Sequence, residues 1–242
     1  MKETVVFKQH GDIKLCGDLH LPKRINGELR PAVVVVHGGG WAKRAGEMTL
    51  ICKKLVRAGF VAFNITYRLA PEFRHPSQFD DVNTALDWLF ERAGQYGIDP
   101  QRISGWGYSA GAHLILLAGL QRAEGSRLSA IVAGGTPADL SRWPNSPLVT
   151  GLIGRPMIEA EAEWQAASPL NYVSEHSPAV FLYHGLRDTL VEPEQMHLLA
   201  DALQEQGARV QTHGSPLFGH IAMYLLGFSA QNQAIKFLQA NG

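Results

Sequence analysis

The 242-residue sequence predicts an α/β fold, a mostly parallel twisted sheet of about eight strands with helices on both faces. Two observations carry that expectation. From residue 31 onward, short β-branched runs alternate with helix-length amphipathic segments, the rhythm of successive β-α units. Each short run is apolar throughout rather than alternating, as strands covered on both faces of a parallel sheet must be.

The elements follow in order. Alternation in Thr4–Phe7 and Ile13–Leu21 around His10-Gly11-Asp12 predicts an antiparallel hairpin at one sheet edge. Strands are then expected at Ala32–Val36, Phe60–Ile65, Arg102–Trp106, Ser129–Ala133, Ala179–Tyr183 and Arg209–Thr212. Helical patterns lie between and after them at Met48–Ala58, Ser77–Ala93, Ala110–Arg122, Pro193–Gln206 and Ala222–Gln239. In Ser77–Ala93 the residues Val82, Ala85, Leu86, Leu89 and Phe90 recur at helical spacing and make one apolar stripe. From Thr136 to Asn171 the rhythm breaks. Pro137, Pro144, Pro147, Pro156 and Pro169 interrupt it, and only Ile158–Ala167 reads as a short helix. Long irregular excursions inside compact domains are usually functional or mobile. Residues 136–171 are therefore expected to form a small lid within a single domain spanning 1–242, the alternative being an inert surface connection.

Charge and cysteine usage exclude several classes. Lys and Arg total 22 against 22 Asp and Glu, and no basic run occurs, so no nucleic-acid partner is expected. Cys16 and Cys52 are too few for a disulfide framework and suit small buried hydrophobes. The N-terminal residues lack the apolar stretch of a secretory signal. Apolar runs such as Ala32–Val36 and Leu114–Leu120 fall far short of the roughly 20 residues that span a bilayer. A cytoplasmic protein with no membrane span is expected.

Gly107-Tyr108-Ser109-Ala110-Gly111 is a GxSxG pentapeptide between a predicted strand and a predicted helix. That junction is where a nucleophilic serine sits on a tight turn, its flanking glycines permitting a strained backbone and close packing. The helix that follows aims its dipole and free N–H groups at the reacting oxygen. The overlapping Gly105–Ala110 also fits a GxGxxA dinucleotide fingerprint. That reading wants an acidic residue at the end of the next strand. There the chain runs Gly134-Gly135-Thr136, so no nucleotide cofactor is expected.

His37-Gly38-Gly39-Gly40-Trp41 directly follows a predicted strand, and its glycines expose backbone N–H groups that could stabilise an oxyanion. Alone it would serve equally as a flexible turn. Asp188 lies in the loop after Ala179–Tyr183, and His220 follows the last strand. The chain order Ser109, Asp188, His220 is that of one hydrolase architecture, and all three would lie at the C-terminal sheet edge. His213 is the rival base, and Glu192 and Glu194 are rival acids that equally suit helix capping. His184 is expected to hold its own loop, His37 to brace the glycine turn, and His113 to be packed or exposed. No HExxH spacing links the histidines, so no metal is expected.

With these motifs in order, the sequence resembles the α/β-hydrolase superfamily. Within it, the chain is most similar to the hormone-sensitive-lipase-like carboxylesterases and their kynurenine-formamidase relatives. The likeness covers most of the chain. It rests on His37–Trp41, Tyr67-Arg68-Leu69-Ala70-Pro71-Glu72, Asp99–Ile103, Gly107–Gly111, Ser168-Pro169-Leu170, His184–Asp188 and Gly219-His220. The resemblance implies Ser109 as nucleophile, Asp188 as orienting acid and His220 as general base. It also implies oxyanion donors from the backbone of Gly39, Gly40 and Ala110, with Gly38 a further candidate. A small-molecule ester of short- to medium-chain acyl or aryl type is the expected substrate, with no cofactor. Trp41 and Tyr108, joined by Trp143 and Leu148, are the expected apolar walls, and Arg68 and Glu72 are expected to brace their loop.

Three departures from the family pattern stand out. Ala112 replaces a second glycine after Gly111, and the segment from Asp188 to Pro193 is one residue longer than usual. Only 31 residues precede Ala32, so a more open site covered mainly by 136–171 is expected. An arylformamidase, suggested by HGG-x-W, is the alternative enzyme, and a silent ligand-binding scaffold is the alternative class. A peptidase fits less well, because related oligopeptidases add a second domain. A homodimer paired through exposed edge strands stays open.

Overall fold

The computed structural model describes residues 1–23, 28–46, 48–122 and 126–241. Among them, strands β1 (Lys2–His10) and β2 (Ile13–His20) form the expected hairpin. Next come β3 (Arg30–Val36), α1 (Thr49–Arg57), β4 (Val61–Ile65), α2 (Ser77–Glu91), the single-turn α3 (Ala93–Tyr96), β5 (Ile98–Tyr108) and α4 (Ala110–Leu120). After β6 (Ala130–Gly134) the excursion contains α5 (Pro147–Ile153) and α6 (Met157–Ala166), with short 3₁₀ turns at Leu140–Arg142 and Pro169–Tyr172. The chain finishes with β7 (Ala179–Gly185), α7 (Glu194–Glu205), β8 (Val210–Ser215), α8 (His220–Leu226) and α9 (Phe228–Asn241).

The strands form one sheet in the order β1-β2-β4-β3-β5-β6-β7-β8. The β1–β2 and β2–β4 pairs are antiparallel and all the others parallel. This eight-stranded, mostly parallel sheet with helices on both faces is the α/β-hydrolase fold.

Alternation along each buried strand divides the core into two layers. In β3, Val34 and Val36 join Phe63, Ile65 and Ile103 beneath α2, α4 and α7. Val33 and Val35 point the other way, with Trp106, Val132 and Phe181, onto α1 and α9. Helix α4 is buried along its whole length, including both glycines and His113. A helix without a polar face must be enclosed on every side, and α4 is packed between β3, β5, β6, α2 and the end of the excursion. From β3 the chain steps to β4 on one side and later returns to β5 on the other. Open α/β sheets bind ligands beyond the strand ends where the order reverses in this way. The loops following β3 and β5 therefore face one crevice.

Two expected elements differ. The predicted helix Ala222–Gln239 is two helices meeting at Gly227, where a Cβ would stand 2.3 Å from the Met223 carbonyl oxygen. One rigid helix could not bring His220 to the crevice and also pack Ala234 and Phe237 beneath the sheet. The excursion contains an additional helix, α5, begun by Ser146, whose hydroxyl accepts the Val149 N–H, with Pro147 in its first turn. No helix among the described residues is long and apolar enough to cross a membrane.

The loop after β4 is braced by charge. Asp81 of α2 is fully buried and accepts bonds from Arg68 Nε and Nη2 at 2.8 Å and from Lys8 Nζ at 2.7 Å. Arg68 thus braces the loop as expected. Glu72 lies exposed at its surface.

Candidate active site

Ser109 stands between β5 and α4 with φ 54° and ψ −124°. Such a backbone conformation costs a residue with a Cβ about 1–3 kcal/mol and persists only where its surroundings enforce it. Here the Ser109 N–H donates to the Gly134 carbonyl at 2.8 Å. The flanking glycines are obligatory for steric reasons. A Cβ on Gly107 would lie 2.3 Å from Gly111 backbone, and one on Gly111 would lie 2.2 Å from the Val36 carbonyl oxygen. The elbow is thereby pressed against the end of β3.

Asp188 follows β7, and its side chain is fully buried. Its Oδ2 accepts the His220 Nδ1–H at 2.6 Å and faces His184 Nε2 at 3.2 Å. Its Oδ1 accepts the N–H groups of Leu190 and Val191, each at 2.9 Å. Burial alone would raise the carboxyl pKa. The bonds from His184, His220 and Val191 outweigh it and hold the group well below the usual carboxylate range. Asp188 is an anion at working pH, and it fixes the His220 proton on Nδ1, leaving Nε2 as the basic nitrogen.

His220 opens α8, and its ring lies 5.2 Å from that of Tyr108. The Tyr108 hydroxyl donates to the His220 carbonyl at 2.5 Å. This contact ties the start of α8 to the residue before the serine.

The loop after β3 makes three successive left-handed residues, Gly39 (φ 123°), Gly40 (φ 59°) and Trp41 (φ 59°). A Cβ on Gly39 would fall 1.9 Å from the Lys43 carbonyl oxygen, so only glycine fits. The first N–H groups of α4, Ala110 among them, have no acceptor within their own helix. Gly39, Gly40, Ser109, Ala110 and His220 all line one cavity of about 380 Å³. The glycine loop, the serine elbow and the start of α8 therefore border the same space.

Trp41 and Tyr108 line the cavity as expected, and Trp143 and Leu148 of the excursion line it too. Ile221 and Tyr224 of α8, with Leu190 and Val191 after Asp188, were not singled out from sequence. Their signal was position alone, one and four residues past His220 and two and three past Asp188.

The rivals lie elsewhere. His213 contacts Gln233 of α9 at 3.3 Å. Glu192 accepts the Trp143 indole N–H at 2.8 Å, and Glu194 is exposed in the first turn of α7. His184 bonds the Val191 carbonyl at 2.9 Å and so closes its own loop. His37 stacks on Tyr67 with ring centres 4.3 Å apart, and the Tyr67 hydroxyl donates to the His37 carbonyl at 3.1 Å.

Comparison with known proteins agrees with this architecture. The BD-FAE family model matches residues 17–203. The chain belongs to the BD-FAE family. The match takes in the glycine loop, the serine elbow and Asp188, while His220 lies beyond it. This BD-FAE chain is 28 % identical over 223 residues to the esterase LipQ of Mycobacterium tuberculosis, covering 84 % of itself and 53 % of LipQ. It is also 38 % identical over 102 residues to arylacetamide deacetylase of Oryctolagus cuniculus, covering 40 % of itself and 26 % of that protein. The chain thus spans about half of LipQ and a smaller share of the deacetylase. Among solved structures, the Est2 esterase of Thermogutta terrifontis superposes with a TM-score of 0.85 at 23 % identity, covering 99 % of this chain and 92 % of that one. That likeness is one of fold, and it agrees with the α/β-hydrolase resemblance read from the motifs.

Proposed function

We propose that this protein is a serine carboxylesterase that hydrolyses short- to medium-chain acyl or aryl esters through an acyl-enzyme. The observation that carries this reading is the 2.6 Å Asp188–His220 bond opening onto the cavity that Ser109 lines. In the first step His220 Nε2 takes the Ser109 hydroxyl proton as Oγ attacks the acyl carbon. Asp188 holds the imidazole tautomer and stabilises its cationic form. The N–H groups of Gly39, Gly40 and Ala110 receive the negative charge of the tetrahedral intermediate. His220 then returns the proton to the leaving alcohol, and water repeats the sequence to free the acid and Ser109.

The apolar walls, Trp41, Leu148, Val149 and Ile221 among them, favour hydrocarbon acyl or aryl groups. In this reading residues 136–171 are the small lid of a single domain, supported by the five residues Pro137, Trp143, Ser146, Leu148 and Val149 they lend to the cavity. Similarity to LipQ supports the ester, similarity to arylacetamide deacetylase supports aryl amides, and the HGG-x-W motif suggests an arylformamidase as the second reading.

The test is Ser109→Ala on a panel of p-nitrophenyl esters and N-formylkynurenine, with fluorophosphonate labelling of the parent. Turnover should fall by about 10⁴-fold or more, and labelling should depend on Ser109. Near-normal activity in the variant would reject the mechanism. Formamide hydrolysis far exceeding ester hydrolysis would favour the second reading.

A further inference from the structure

His113 is the one polar side chain of α4, and it is fully buried. It lies one turn after the elbow, its N–H bonded to the Ser109 carbonyl at 3.0 Å. The Trp41 indole N–H donates to His113 Nδ1 at 3.1 Å, and the two rings meet edge-on with centres 5.1 Å apart. On the other side His113 Nε2 lies 2.7 Å from the carbonyl oxygen of Ala167, the residue ending α6. An indole can only donate and a carbonyl can only accept. The ring is therefore the neutral tautomer with its proton on Nε2, and both nitrogens are satisfied.

Trp41 needs such a hold. It has a Cβ yet adopts a left-handed backbone, immediately after the two glycines of the oxyanion loop. Its carbonyl accepts the Ala70 N–H at 3.0 Å, which fixes the backbone behind it. The indole N–H to His113 fixes the side chain in front. The third point, Ala167, adjoins Ser168, whose hydroxyl accepts the Leu140 N–H and donates to the Trp164 carbonyl, each at 2.9 Å. One imidazole thus joins the glycine loop, the nucleophile helix and the foot of the excursion. A leucine or phenylalanine would fill the same space without joining them.

We propose that His113 is a positioning residue for hydrolysis, holding Trp41, and through it the Gly39–Gly40 backbone, in register with the Ser109 elbow. The proposal rests on the esterase reading. Its effect falls on stabilisation of the tetrahedral intermediate, and so on kcat more than on KM.

Two substitutions separate the links. In His113→Gln the amide can still donate to Ala167, but the Trp41 indole loses its acceptor. In His113→Asn the Oδ1 falls near the position of Nδ1 and keeps that acceptor. Both are assayed with p-nitrophenyl butyrate, with kcat expressed per serine titrated by a fluorophosphonate. His113→Gln should lower kcat by about 10- to 100-fold with KM within roughly threefold, and His113→Asn should recover most of the loss. Equal kcat in parent and His113→Gln, or equal loss in Gln and Asn variants, overturns the proposal. If His113→Gln fails to fold, Trp41→Phe removes the same bond from the other side. A comparable fall in kcat supports the role, and kcat within twofold of the parent overturns it. A parent that neither hydrolyses the ester nor reacts with the probe refutes the esterase reading itself. An active, labelled parent with an unaffected variant refutes the positioning role alone.

Discussion

Gly111→Ala adds one methyl group at a residue with no chemical role, yet it should disable the site. The new Cβ would lie 2.2 Å from the Val36 carbonyl oxygen and 2.6 Å from that of His37. Ordinary contact begins near 3.4 Å, so the gap is short by about 1.2 Å, and both obstacles are backbone. Val36 ends β3 at the centre of the sheet and cannot retreat, so the start of α4 must. Ser109 and the Ala110 N–H ride on that start, whereas Gly39 and Gly40 belong to the loop after β3. Separating them by about 1 Å should cost on the order of 100-fold in kcat/KM. Overpacking should also cost about 1–3 kcal/mol of stability. The assay is kcat/KM for p-nitrophenyl butyrate per titrated serine, with thermal unfolding alongside. A variant with parental turnover and an unchanged Tm would refute the steric reasoning.

Other consequences follow from single contacts. Asp188→Asn presents an amide N–H either to His220 or to the Leu190 and Val191 N–H groups, so it cannot satisfy all its donors. Turnover should fall by about 10⁴-fold while the protein stays folded, and activity within tenfold of the parent would remove Asp188 from the proposed mechanism. Asp81→Asn leaves the buried Arg68 guanidinium without its anion. It should cost about 3–5 kcal/mol, a Tm drop of roughly 6–20 °C by calorimetry, and a loss within 1 °C would show the pair to be dispensable. Burial lowers the pKa of His113 to about 3, against the partial support of the Ala167 bond. The unfolded chain therefore binds a proton between pH 6.5 and 3 that the folded state refuses, and stability falls as pH drops through that window. His113 should contribute about 1 kcal/mol per pH unit to that loss. Urea unfolding at pH 7 and pH 5 reads it, and a pH dependence identical in His113→Gln would contradict the assignment.

Much of this molecule is legible along the chain because its signals are local. The short β-branched run Ala32–Val36 reads as a strand buried on both faces, and Gly107–Gly111 between a strand and a helix reads as a sharp turn. Ser146-Pro147 ahead of α5 and Gly154 behind it were helix start and stop signals of the same local kind, hidden within a proline-rich stretch that read as irregular. Gly227 could have marked the break between α8 and α9, although a glycine inside a helical pattern is often tolerated.

The choice among chemically equivalent residues was not local. His213 lies within the last strand and His220 shortly after it, and Asp188, Glu192 and Glu194 are carboxylates within seven residues of one another between β7 and the first turn of α7. Only packing shows that His220 meets Asp188 while His213 meets Gln233 and Glu192 meets Trp143. His113 illustrates the same limit, since nothing along α4 indicates that its two nitrogens bridge residues 41 and 167. Strand and turn formation depend on neighbours a few positions away, which the order of residues already states. Hydrogen-bond partners dozens of positions apart, such as Asp188 and His220 or Trp41 and His113, depend on the sheet order β3-β5-β6-β7-β8 that sets the segments following these strands side by side, and that order exists only once the chain has folded.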